Sequence, residues 1–209
     1  MADVVAGAVD PALLVEFGAL ELWTAVVTPV RAAGPAGRAR LGRLSGSFHA
    51  AERIRERGGR LLDVAYPTFE RQTGLDPTVP PTALERDARE VVVTGALQST
   101  HAVDDVRLAV LAEVGVPLTA LDAAATSGPW RLTVSRGEPY RDGTPTTAGD
   151  LVVADARGPV APVVGDPPRR LAAGARTREV VLYAVRVPGM ASWEVSEAVW
   201  RAANYLAGT

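Results

Sequence analysis

Hydrophobic and polar positions change rhythm twice along this chain. Leu20 to Val30 (LELWTAVVTPV) is rich in β-branched and aromatic residues and closes at a proline, which predicts a strand. From about Arg38 to Thr73 the pattern is helical, broken near Gly58-Gly59 and at Pro67, and Asp76-Pro77 with Pro80-Pro81 marks a loop. Thr82 and Glu85 have capping-box spacing, so a helix is expected to start there and run into Val93. Ser99 or Thr100 can cap the next helix, whose Val103, Val106, Leu108, Val110, Leu111 and Val114 are apolar and which Gly115 ends. After Pro117 the chain turns to short apolar runs between Gly, Pro, Asp and Thr: Leu118–Leu121, Trp130–Ser135, Leu151–Ala154, Val160–Val164 and Val180–Val187. These read as strands. A last segment, Ser192–Leu206, sets Val195, Val199, Ala202 and Leu206 at helical spacing behind a serine cap. The predicted class is α+β, a mixed or antiparallel β-sheet packed with helices, the helices mainly early and the strands mainly late.

Composition narrows the chemistry. The 209 residues suit a single domain, and 47% apolar with 22% charged residues is globular usage. There is no cysteine, all 22 basic residues are arginine, and His49 and His101 are the two imidazoles. Disulfides, thiol nucleophiles, zinc ribbons, lysine Schiff bases and a Walker lysine are thereby excluded. No HExxH, nucleophile elbow or GxGxxG occurs, and neither a metal nor a cofactor is expected. No apolar run approaches the ~20 residues of a membrane span, and no signal peptide is recognisable, so no membrane is expected as a partner and the expected compartment is the cytoplasm.

A net charge of −2 argues against a DNA binder, but the charge is uneven. Residues 31–60 hold eight arginines, among them Arg53, Arg55 and Arg57, against Glu52 and Glu56. This stretch is either a weak RNA-phosphate contact or a solvated helix of i,i+4 ion pairs. His101, Asp104 and Asp105 open one helix, and His101 with Asp105 at i,i+4 could share a proton; the alternative is carboxylates favoured by the helix dipole. Asp122 either marks a pocket floor or caps a turn. Tyr183, in a Val/Leu strand, is either a phenol offered to a substrate or a half-buried strand residue. Arg169, Arg170, Arg176 and Arg178 flank a Gly/Pro-rich loop that could read phosphate or carboxylate. Trp193 and Trp200, seven residues apart, read as core or as a contact between copies in a homo-oligomer.

The stretch Val103-Asp104-Asp105-Val106, followed by Leu111 to Asp122 (LAEVGVPLTALD), resembles the passage of the bacterial phenylalanyl-tRNA synthetase β-subunit in which a VDVTNYV helix runs into LELGQPLHAFD. Gly149–Asp155 (GDLVVAD), the run Gly158–Gly165 and Thr177–Leu182 (TREVVL) are similar to its continuation. Together they cover roughly Thr100 to Pro188, the extent of the tRNA-editing (B3/B4) domain. Upstream, Tyr66-Pro67-Thr68-Phe69-Glu70 and Thr73-Gly74-Leu75-Asp76-Pro77 resemble the leader of freestanding relatives. The implied organisation is one B3/B4-like domain: a strand and helical leader over 1–98, a core over 99–190 and a C-terminal helix over 191–209.

The resemblance implies an amino-acid pocket between the sheet and the VD helix, around Pro117, Thr119, Asp122, Gly165 and Tyr183, with Glu113 as a further binding residue and Tyr183, Asp122 and His101 as the candidates for catalysis. The family's histidine of PLHAFD is Thr119 here, and the glutamate closing its V-L-L-E strand is Tyr183. Three functions follow as expectations: trans-editing of a mischarged aminoacyl-tRNA, a small-molecule enzyme that reuses the pocket, and a noncatalytic RNA- or protein-binding module.

Overall fold

The computed structural model describes residues 3–45, 65–76 and 97–208. The expected helix from Thr82, the Gly58-Gly59 break, the Pro80-Pro81 loop and Arg53, Arg55 and Arg57 lie outside the described residues.

Chain order is β1 (Val4–Val9), α1 (Pro11–Phe17), β2 (Glu21–Val27), α2 (Ala33–Ser45), α3 (Tyr66–Gln72), α4 (Ala102–Val114), β3 (Thr119–Asp122), β4 (Arg131–Val134), β5 (Leu151–Asp155), β6 (Gly158–Pro162), β7 (Val180–Arg186) and α5 (Ser192–Ala207). The seven strands form one sheet in the order β3-β7-β2-β1-β4-β5-β6. All neighbours are antiparallel except β1 and β4, which run parallel.

The class is α+β, and five of the seven strands follow Pro117, but the two early ones are not peripheral. β1 and β2, from the first 27 residues, sit between β7 and β4 and join the two halves of the sheet. The leader is thus built into the centre of the sheet that carries the later strands. Gly7 makes the junction possible. A Cβ there would lie 2.6 Å from Leu22 Cδ2 and 2.9 Å from the Trp130 carbonyl oxygen, so the close approach of β1 to its neighbours needs a residue without a side chain.

β7 (VVLYAVR) is buried almost throughout, which explains its unbroken apolar run: alternation is lost where both faces of a strand are covered. α5 packs on β2 and β7 through Val195, Ala198, Val199, Ala202 and Leu206. Its outer face carries Trp193 and Trp200, 65% and 44% exposed, so neither belongs to the core. Ser192 is not the cap. Ala191 is the N-cap and Glu194 accepts from its backbone N–H, while the Ser192 hydroxyl donates to Glu21.

α4 is buried on nearly every side because α2 and α5 both pack against it. Gly37 of α2 lets the chains approach; a Cβ there would stand 3.0 Å from Asp105 Cβ. Gly115 ends α4 in the left-handed conformation, as expected. Pro67 opens α3 rather than breaking a helix, since proline is tolerated in the first turn, where its missing N–H has no partner to lose. Among the described residues no helix is long and apolar enough to cross a membrane.

Candidate functional site

Three stretches far apart in sequence meet at the centre of β7. Thr119 of β3 and Tyr183 of β7 are opposite each other in the antiparallel register, and the Thr119 hydroxyl hydrogen-bonds Tyr183. Pro117, Thr119, Gly165 and Tyr183 line one small cavity, together with Val163 and Val164. Tyr66 and Glu70, one turn apart on α3, close it from the leader. Tyr66 donates to the Val185 carbonyl at 2.6 Å and so pins α3 against β7. Tyr183 is 2% exposed and its hydroxyl donates to the Pro162 carbonyl at 3.2 Å. Burial pushes its pKa far up, so the phenol is neutral at physiological pH and acts as a hydrogen-bonding group, not a base. The cavity holds about 30 Å³, room for about a water molecule and too little for an amino-acid side chain.

A larger cavity of about 600 Å³ adjoins it, between the start of α4 and the segment from Asp166 to Gly174. Its charged lining is His101, Asp104, Arg107, Asp166 and Arg169. Arg107 links the two cavities: Nε donates to the Leu118 carbonyl at 2.8 Å and Nη1 to Asp104 Oδ1 at 2.9 Å. His101 is the N-cap of α4. Its Nδ1 accepts from the Asp104 backbone N–H at 3.5 Å, and its Nε2 lies 3.0 Å from Asp104 Oδ2. The hydrogen bond to Asp104 raises the histidine pKa. Burial would raise Asp104 in turn, but His101 and Arg107 outweigh it and hold the carboxyl below its usual range.

The expected pairing of His101 with Asp105 is not made. Asp105, buried, accepts from the Ser99 hydroxyl at 2.7 Å and the Thr100 N–H at 2.9 Å. These bonds hold the preceding chain extended through His101, which is why neither Ser99 nor Thr100 is the cap. Asp122 lines neither cavity. It lies three residues from Thr119 and so on the opposite face of the strand. Its carboxylate accepts from the Ala124 N–H at 2.9 Å and the Thr177 hydroxyl at 3.2 Å, closing a turn.

Glu113 is likewise away from the cavities, about two and a half helical turns beyond Asp104. There it accepts from Arg40 and from Tyr205, each at 2.9 Å, and joins α4 to α2 and α5. Arg40, part of the basic stretch, lies 3.6 Å over the Tyr205 ring and is committed to this junction. The sequence reading missed Arg107 and did not assign Tyr66 or Glu70 to the site. Their spacing carried a signal in both cases: Arg107 is i,i+3 from Asp104, and Tyr66 and Glu70 are i,i+4 on one helix face.

Among the described residues no group of three or more histidine, aspartate and glutamate side chains converges to hold a metal ion. Comparison with protein-family models and with curated proteins finds no match for this chain.

Proposed function

We propose that this protein binds the aminoacyl group of a mischarged tRNA in the cleft between α4 and the Asp166–Gly174 segment and hydrolyses its ester bond. The observation that carries this reading is the convergence of Pro117, Thr119, Gly165 and Tyr183, the positions matched to the editing-domain pocket, on one cavity beside a larger charged one. Thr119 and Tyr183, where the family has histidine and glutamate, are cross-strand partners, so the two replacements alter one spot and change the amino acid selected. The larger cavity has the charges an α-amino ester needs: Asp166 for the ammonium, Arg169 and Arg107 toward carbonyl and phosphate oxygens. In the reaction a water oxygen adds to the ester carbonyl carbon, the bond to the ribose oxygen breaks, and the departing hydroxyl takes up the proton. His101, with Nδ1 on the Asp104 backbone N–H and Nε2 on the Asp104 carboxylate, holds the polar rim of the cleft in place. Such an enzyme would act in the cytoplasm.

A second reading is favoured by the small volume beside Tyr183: the phenol fills the place of a side-chain pocket, and the 600 Å³ cavity serves a different small metabolite with an amino-acid-like head. The test is deacylation of a panel of aminoacyl-tRNAs, alongside the corresponding free amino-acid esters, by the wild type and by Arg169→Gln and His101→Asn. Release from selected tRNAs that falls in both variants supports editing. Activity on free esters alone supports the second reading, and no turnover or binding on either panel overturns both.

A further inference from the structure

A third cavity of about 420 Å³ lies on the other side of the Val163–Val164 segment, which it shares with the small cavity beside Tyr183. Phe17 of α1 and Phe69 of α3 meet edge to face in its wall, with ring centroids 5.2 Å apart. Leu75, 48% exposed, stands at the cavity as an apolar lip. The lining includes Glu16 and Asp150 and, among the described residues, no arginine or histidine. Glu16 has no hydrogen-bond or ion-pair partner among the described residues, and it occupies the last turn of α1, where a negative charge opposes the helix dipole.

Tyr140 also lines this cavity. It is nine-tenths buried, while its hydroxyl, which is not sealed from solvent, has no hydrogen-bond partner among the described residues and is open to a ligand in the cavity. The residue is firmly held. Its backbone N–H donates to Thr144, and the next residue, Arg141, donates its backbone N–H to Pro159 and its guanidinium to Asp155 at 2.7 Å. Burial and the nearby Asp150 push the phenol pKa up to about 12, so the hydroxyl stays protonated and can both donate and accept.

We propose that this cavity binds a small ligand with an aromatic ring and a protonated amine, the ring against Phe17 and Phe69 and the ammonium among Glu16, Asp150 and the Tyr140 hydroxyl. Apolar walls with two carboxylates and no basic side chain among the described lining residues select a cation over a neutral or anionic ligand of the same shape.

The experiment titrates the full chain with phenethylamine, phenethyl alcohol and hydrocinnamate, followed by calorimetry and ligand-observed NMR. Phenethylamine is expected to bind about tenfold more tightly than the alcohol, from a charge-assisted hydrogen bond, and the acid more weakly than either. Glu16→Arg, a change on an exposed surface, should reverse the order of amine and acid. Tyr140→Phe should weaken the amine about fivefold, with its fold checked by circular dichroism. Absence of amine binding, equal affinity for amine and alcohol, or amine binding indifferent to both variants overturns the proposal.

Discussion

Replacing Arg107 tests the link between fold and site. Its side chain is buried, its Nε bonds the carbonyl of Leu118, and its Nη1 meets Asp104. Leu118 is 2% exposed, so its carbonyl cannot turn to water when the donor is removed. Losing a charged hydrogen bond to a buried acceptor costs about 1.5–3 kcal/mol. Asp104 is about a third exposed, and its ion pair adds at most about 1 kcal/mol after solvent screening. Arg107→Met, which keeps the aliphatic packing, should therefore destabilise the protein by about 2–4 kcal/mol. At about 2–4 °C per kcal/mol for a chain of this size, the melting temperature should fall by about 5–15 °C. Arg107→Lys should fall between, since an ammonium cannot reach Leu118 and Asp104 with the geometry of a guanidinium fork. Urea titration followed by circular dichroism gives both values. A change in either variant below about 0.5 kcal/mol, the usual scatter of inert surface substitutions, would refute this account of how α4 is tied to β3.

Three other outcomes follow from the same contacts. His101 has a pKa above its ordinary 6.5, so its contribution to stability is fully present below that value and is lost as pH rises through the folded-state pKa. His101→Asn keeps a capping acceptor and does not titrate, so its stability difference from wild type should shrink with rising pH across that window; a flat difference rejects the His101–Asp104 pair. Gly7→Ala should cost about 2 kcal/mol or more, because Leu22 can shift but the Trp130 carbonyl cannot; chemical denaturation reads it directly. Asp155 is fully buried and accepts from Arg141, Ser127 and Arg157, so Asp155→Ala strands these donors and should cost about 3–5 kcal/mol, measured as a fall in urea midpoint.

Local order was written plainly in the chain. The β-branched run around Trp23 forms β2, Val180–Val187 holds β7, Gly115 stops α4, and the seven-residue spacing of Trp193 and Trp200 lies on one face of α5. These depend on periodicity and on backbone preferences that act within a few residues, so letters alone suffice. The segment before Leu20 was silent to that reading. β1 contains Gly7 and alternates poorly, and only its pairing with β2 and β4 makes it a strand.

Side-chain partners were the least legible. Asp104 and Asp105 are neighbours with the same charge, yet one faces His101 and Arg107 at a cavity and the other fastens Ser99 and Thr100, because a helix turns successive residues by about 100°. Thr119 and Asp122 share a four-residue strand and point to opposite faces. Tyr140 carries no signal in the sequence, and only the turn that holds it and the wall that buries it bring it to a cavity. Sequence by itself determined the elements after Leu20, since those depend on short-range sterics and burial pattern. Tertiary structure alone decided which faces met, since that depends on long-range pairing of β1, β2, β3 and β7, and with it where the cavities lie and which charged groups line them.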